Sequence, residues 1–269
     1  MKQIKDSFFY LKNARKINMA HLQQSLYSAA RQKVPYRGTD QGKLTWTRFP
    51  AKVRCASTES LTSLTENNAA EVELKYLVSQ HGWDVRRLNR NDEDEIRRVS
   101  LVQAEAFHIP LVLFNDFFLL FFQAEVLSAL LYKLKNSPSD RYACLVAEQT
   151  SEAEASSSSS VVGVVDVTAQ NERSVLCHFP GVEEYLYVSG LAVSKAHRRK
   201  KMASTLLKAC DVLCYLWGFK LLALRAYEDD AAARNLYSNA GYNVVATDPL
   251  WTSTWIGRKR RVLMTKRFS

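Results

Sequence analysis

The chain has 269 residues, 47% of them apolar and 24% charged, with a formal net charge of +10. That length allows one good-sized domain plus an extension. The charge would suggest nucleic acid, but residues 1–55 hold 12 of the 37 Lys and Arg and only 2 of the 27 Asp and Glu; the remainder is balanced at 25 of each and carries no nucleic-acid footprint.

Residues 1–55 are poor in acids, rich in Lys and Arg, and mix Ser and Thr with scattered aromatics. This is the composition of an organellar transit peptide, and the lack of a long apolar run argues against a secretory signal. Val53-Arg54-Cys55-Ala56 resembles a plastid processing site, with cleavage before Ala56 and the chloroplast stroma as destination. A mitochondrial presequence and a retained basic tail are the competing readings. Residues 56–80 are rich in Ser, Thr, Asn and Glu and read as a flexible linker. The folded domain then spans 81–269.

Trp83 to Leu88 reads as a first strand, and a helix follows from Asp92 to Phe107, with acids in its first turn where the dipole favours them. Phe114 to Leu134 is very apolar, yet Asp116, Gln123 and Glu125 interrupt it, so a buried core helix is expected rather than a membrane span. Arg141–Glu148 and Val161–Thr168 are strand candidates, joined by a loop with five consecutive serines. Asn171 to Gly181 is an irregular connection.

Tyr185 to Val193 (YLYVSGLAV) is β-branched, aromatic and apolar, the composition of a buried strand. From Met202 the pattern turns helical: Ala203, Leu206, Leu207, Cys210, Leu213, Cys214 and Trp217 share one face, and Gly218 ends it. Between them Arg198, Arg199, Lys200 and Lys201 stand at a helix start, an end that already carries partial positive charge and unpaired N–H groups. Four cations there are locally unfavourable unless an anion sits among them, and a phosphate would satisfy both amides and side chains. The bland alternative is a solvated charge run.

Lys220 to Arg225 forms a further strand, and strand–helix–strand at this spacing implies a parallel pair with a right-handed crossover. A helix is expected over Ala231–Ala240, closed by Gly241, and last strands over Asn243–Ala246 and Arg261–Phe268, with Trp251, Trp255 and Arg258 to Arg261 in their connection. The five cysteines form no CxxC pair, and no HExxH or P-loop occurs, so neither metal nor redox chemistry is expected.

The strand, basic turn and helix resemble the signature of the GNAT superfamily of acyl-CoA-dependent N-acetyltransferases, an apolar strand followed by Arg/Gln-x-x-Gly-x-Gly/Ala opening a helix. Arg198 and Ala203 occupy its first and last fixed positions, and Lys201 stands where the family has Gly. A second segment resembles the family pattern Asn-x-x-Ala-x-x-Leu-Tyr-x-x-x-Gly-Phe/Tyr: Ala233, Leu236, Tyr237, Gly241 and Tyr242 match, and Asp230 replaces the Asn. The resemblance covers roughly residues 83–268.

It implies an α/β (α+β) fold: a mixed central sheet of six to seven strands flanked by helices, with the cofactor cleft between two splayed parallel strands. It implies acetyl-CoA as co-substrate and no metal. The backbone of Leu191, Ala192 and Val193 would align the pantetheine and polarise the thioester. Arg198, Arg199, Lys200, Lys201, Met202, Ala203 and Ser204 would hold the pyrophosphate, and Asp230, Ala231 and Ala232 would lie on the pantetheine side. Tyr237 would protonate the departing thiolate; its other reading is a core tyrosine sharing a face with Ala233 and Ala240. Glu183 or Glu184 would take the acceptor's proton through a water, or would merely cap a strand end. The loop around His108 to Asn115 would flank the acceptor. Protein N-terminal α-amines or lysine ε-amines are the expected acceptors. Small arylalkylamines or polyamines are the runner-up, and a non-catalytic CoA-binding module is a reading from another class.

Overall fold

The central strands are near-continuous apolar runs buried on both faces, and the described residues form one eight-stranded sheet with helices on both faces. The computed structural model describes residues 75–107, 115–150, 161–251 and 259–268. Residues 1–55, expected to be a transit peptide with its cleavage site, residues 56–74 of the expected linker, the loop before Asn115, the Ser-rich loop, Trp255 and Arg258 lie outside the described residues. The strands are β1 (Val78–Gln80), β2 (Trp83–Arg87), β3 (Tyr142–Gln149), β4 (Gly163–Gln170), β5 (Tyr185–Val193), β6 (Leu221–Tyr227), β7 (Asn243–Thr247) and β8 (Arg261–Arg267). The helices are α1 (Glu93–Phe107), α2 (Asn115–Asn136), the short α3 (Arg173–Leu176), α4 (Met202–Leu216) and α5 (Ala231–Asn239).

Spatial order is β1-β2-β3-β4-β5-β6-β8-β7. Only β5 and β6 run parallel; every other neighbouring pair is antiparallel. The described residues hold eight strands rather than six to seven. The additional strand is β1, which falls inside the stretch expected to be linker. It forms because His81 (φ 57) and Gly82 (φ 76) make a tight turn that pairs Gln80 with Trp83. Positive φ at both central residues is the twist a two-residue hairpin needs.

Helix α4 covers one face. Leu206, Leu207, Cys210, Leu213 and Cys214 are buried against Val165, Val167, Leu186, Val188, Leu222 and Leu224. Each of the leucines and valines contributes about 1.5–3 kcal/mol on burial. Gly163 lets this helix come close: a Cβ there would meet Met202 Sδ at 2.5 Å and Leu206 Cδ1 at 3.2 Å. On the opposite face α1 and α2 lay Ile96, Val99, Leu130 and Leu134 over Tyr142, Cys144, Val146 and Val164. Asp92 starts α1 by accepting the Glu95 amide (2.9 Å).

Helix α2 is not the fully buried helix expected. It buries Phe122, Val126, Ala129, Leu130 and Leu134 and exposes Phe121 (49%), Leu131 (46%) and Tyr132 (42%), because only one of its faces has the sheet beneath it. No described helix is long and apolar enough to cross a membrane.

Candidate active site

The parallel pair comes apart almost as soon as it forms. β5 and β6 are in register at Leu186–Leu222 and Tyr187–Ala223 and nowhere beyond. After that point β5 follows β4 as far as Val193, while β6 follows β8 to the Tyr227–Arg261 pair. A fork opens between residues 188–193 and 224–227. Leu191, Ala192 and Val193 lie on one arm of it.

That arm carries a bulge. Val164 pairs with Ala192 and Asp166 with Ser189, so Gly190 and Leu191 together oppose the single residue Val165. Gly190 has φ +62, and a Cβ on it would meet Gln103 Nε2 at 2.7 Å and Asp166 Oδ2 at 2.9 Å. A buried polar network holds the bulge from below. Gln103 Nε2 donates to Asp166 Oδ2 (3.1 Å) and Gly190 O (3.4 Å), and Tyr142 OH donates to Asp166 Oδ1 (2.8 Å). Lys133 Nζ stands 3.8 Å from Asp166 Oδ2. Burial first, then the neighbouring Asp166 charge, keeps the Tyr142 phenol well above its ordinary range and hence a donor.

The basic turn continues from the end of β5. Lys195–His197 forms one 3-10 turn, and Arg198 to Lys201 are exposed. Arg199 (φ 64) and Lys201 (φ 61) are both left-handed, and Lys201 is the N-cap of α4. The family's Gly is therefore replaced by a lysine at a position whose backbone favours Gly. The first amide of the α4 ladder is Thr205, bonded to Lys201 O (3.1 Å). The amides of Met202, Ala203 and Ser204 have no intrahelical acceptor and lie with the four cations at one helix start. Arg198 Nε donates to Val193 O (3.2 Å), and Trp83 Nε1 donates to Lys200 O (2.8 Å). Here the turn, the unpaired amides and the positive end of α4 coincide, the arrangement that accepts a phosphate.

Tyr237 sits on α5 and packs against the core that β5, β6 and α4 share. Its ring meets that of Tyr242 edge-on at 6.1 Å. Burial pushes its pKa up to about 12, with Asp230, Tyr187 and Cys210 adding to the shift. The phenol is thus a proton holder. The Tyr187 in that list is the last residue of β5 paired to β6, so Tyr237 lies within electrostatic reach of the fork. Asp230 caps α5: its Oδ1 accepts the Ala233 amide (2.9 Å). Ala231 and Ala232 are exposed in the first turn behind it.

Glu183 and Glu184 are not brought to the fork. They precede β5, on the far side of its paired registers, and Glu184 Oε1 accepts from Arg141 Nη2. At the rise of a strand, the bulge is about 20 Å further along.

Several site residues escaped the sequence reading. Gln103, Tyr142 and Asp166 support the bulge from α1, β3 and β4. Arg225 donates to Asp248 Oδ1 (3.4 Å) and Ser174 Oγ (3.3 Å). Burial raises the Tyr187 phenol against the lowering effect of Arg225 and Arg261. The one available signal was a polar residue, Asp166, inside an otherwise apolar strand.

The model for the Acetyltransferase (GNAT) family matches residues 112–242. A protein of Arabidopsis thaliana, "GCN5-related N-acetyltransferase 10, chloroplastic", is 86% identical over 256 residues, covering 93% of this chain and 100% of that one. Among solved structures, a chain of the NatC complex bound to Gag peptide and CoA superposes with a TM-score of 0.51 at 13% identity, over 70% of this chain and 99% of that one. Arabidopsis thaliana NAA60 in complex with a bisubstrate analogue gives a TM-score of 0.48 at 17% identity, over 70% of this chain and 99% of that one.

Proposed function

This chain belongs to the GNAT family of acetyltransferases, and we propose that it moves an acetyl group from acetyl-CoA to protein N-terminal α-amines and, more slowly, to lysine ε-amines in the chloroplast. The observation that carries this reading is the fork between β5 and β6 with the basic, amide-rich turn at its end.

The residues fit the co-substrate. Arg198 to Lys201 and the amides of Met202, Ala203 and Ser204 hold the pyrophosphate. The unpaired edge of β5 at Leu191, Ala192 and Val193 aligns the pantetheine, and an amide there polarises the thioester carbonyl. Asp230 is already spent on the Ala233 amide, so it orders α5, and the pantetheine contact falls to the first-turn backbone at Ala231 and Ala232. Tyr237, protonated and half-buried, gives its proton to the departing thiolate.

The preference for α-amines follows from the acceptor's own proton. An α-amine titrates near 8 and a lysine near 10.4, so at about pH 8 half of the first and under about 1% of the second is neutral. Asp166, the carboxylate under the bulge, is engaged by Tyr142, Gln103 and Lys133, and Glu184 by Arg141. Among the described residues of the fork no carboxylate is left free to act as a base, which favours the amine that loses its proton readily. The name of the 86% identical relative includes "chloroplastic", which supports the same compartment here, with residues 1–55 as the transit peptide, 56–80 as the linker and 81–269 as the acetyltransferase domain.

Turnover on peptides with a free α-amine, on peptides with a blocked α-amine and one lysine, and on a small-amine panel tests the reading. Faster transfer to free α-amines is expected. Transfer confined to arylalkylamines or polyamines would overturn the acceptor class, and acetyl-CoA binding without transfer to any acceptor would leave a binding module.

A further inference from the structure

We propose that Trp83 is a positioning residue for the phosphate turn: its indole N–H holds residues 199–201 in the conformation that receives acetyl-CoA. This rests on the reading that the turn binds the cofactor's pyrophosphate.

The turn is under conformational tension. Arg199 and Lys201 both adopt positive φ, a region that non-glycine residues enter reluctantly because Cβ crowds the backbone. Both side chains are exposed cations, so no packing of their own holds them there. Between them sits Lys200, and its carbonyl is the one that Trp83 grips, at 2.8 Å. A trans peptide is planar, with C=O and N–H on opposite sides. Drawing the Lys200 oxygen toward the indole therefore aims the Lys201 N–H the other way, out of the sheet end.

The grip comes from a rigid support. Trp83 is 5% exposed and sits at the first residue of β2, paired to Gln80 on one side and Gln149 on the other. Its ring also meets His197 edge-on at 5.8 Å, so it contacts the turn on both sides of Arg198. A buried indole needs an acceptor somewhere. Here the acceptor is no local strand carbonyl but the centre of a strained turn 117 residues away. Without that bond the free protein would populate the receptive turn less, and apparent affinity falls by the fraction lost.

The test is a two-by-two set: Trp83→Phe made in the natural chain and in Lys201→Gly. The readouts are the acetyl-CoA dissociation constant by calorimetry, kcat, and the thermal midpoint of the free protein. In the natural chain, Trp83→Phe should weaken acetyl-CoA binding roughly three- to tenfold, with kcat within about twofold. In the Lys201→Gly background the same change should weaken binding by less than about twofold, since Gly enters the left-handed region unaided. A merely structural tryptophan would lower the thermal midpoint in both backgrounds and leave the dissociation constant alone, or lose affinity equally in both; either result overturns the proposal. If Trp83→Phe does not fold, benzothienylalanine at position 83 keeps the fused ring and removes only the N–H, and the same outcomes apply. An Arg198→Ala, Arg199→Ala double variant separates the two levels. Unchanged affinity there defeats the pyrophosphate reading, whereas weakened affinity there with unchanged affinity in Trp83→Phe defeats the positioning role alone.

Discussion

Tyr237 has two duties that one substitution separates. Its ring packs on the core, and in the proposed reaction its hydroxyl carries the proton that the leaving thiolate needs. Tyr237→Phe keeps the first and removes the second. We expect kcat to fall by roughly 10²–10⁴ while the acetyl-CoA KM and the thermal midpoint stay near their natural values. Full activity in this variant would make Tyr237 a core residue only. The raised pKa, about 12, also sets the shape of the pH profile. The acid form persists as pH rises, so a kcat profile from pH 7 to 10 should show no decline traceable to this group; a fall centred near the ordinary tyrosine value of about 10 would contradict it. Gly190 is the other single-residue test. An Ala there faces both the positive φ of +62 and contacts of 2.7 and 2.9 Å with Gln103 and Asp166. Gly190→Ala should displace the bulge and lower kcat at least about tenfold, since a small misplacement at the reacting centre is costly. Natural kcat with natural stability would show that the bulge does not position the thioester.

Helix α4 joins packing to the proposed binding, because its buried face presses on the sheet and its N-terminus forms the turn. Gly163→Ala would push a methyl into Met202 and Leu206 in its first turns. The expected cost is about 1–3 kcal/mol of stability, read from denaturant midpoints, and no change would mean that Met202 Sδ simply swings aside. This element was legible in sequence because its signals are local: an apolar strand, a cation run, then 3.6-residue periodicity within one short stretch. The β5 and β6 strands and α5 were legible for the same reason. Elements and groups whose partners are distant were not. Nothing near Trp83 says that it reaches Lys200, and nothing near Gln103 says that it meets Gly190. The exposed face of α2 was hidden by composition, since Phe121 and Leu131 read as core until the sheet is seen to lie on one side only. Glu184 was misplaced because sequence adjacency to β5 does not reveal which end of the strand opens.

The whole chain divides by charge: the surplus of +10 lies entirely in residues 1–55, ahead of a balanced domain. A fusion of those residues to a fluorescent reporter should enter plastids, and the mature protein should begin near Ala56; fluorescence left in the cytosol or nucleus would remove the transit reading. The indole–carbonyl bond that spans 117 residues has a further effect, on assembly rather than affinity. Closing so large a loop is entropically slow, and contacts of high sequence separation delay folding. In refolding from denaturant, near-native helix content should therefore return before acetyl-CoA capture does, and the appearance of capture should coincide with protection of the β1–β2 hairpin amides from hydrogen exchange. The chain would then gain its ligand affinity last, as β2 and the turn after β5 are tied together.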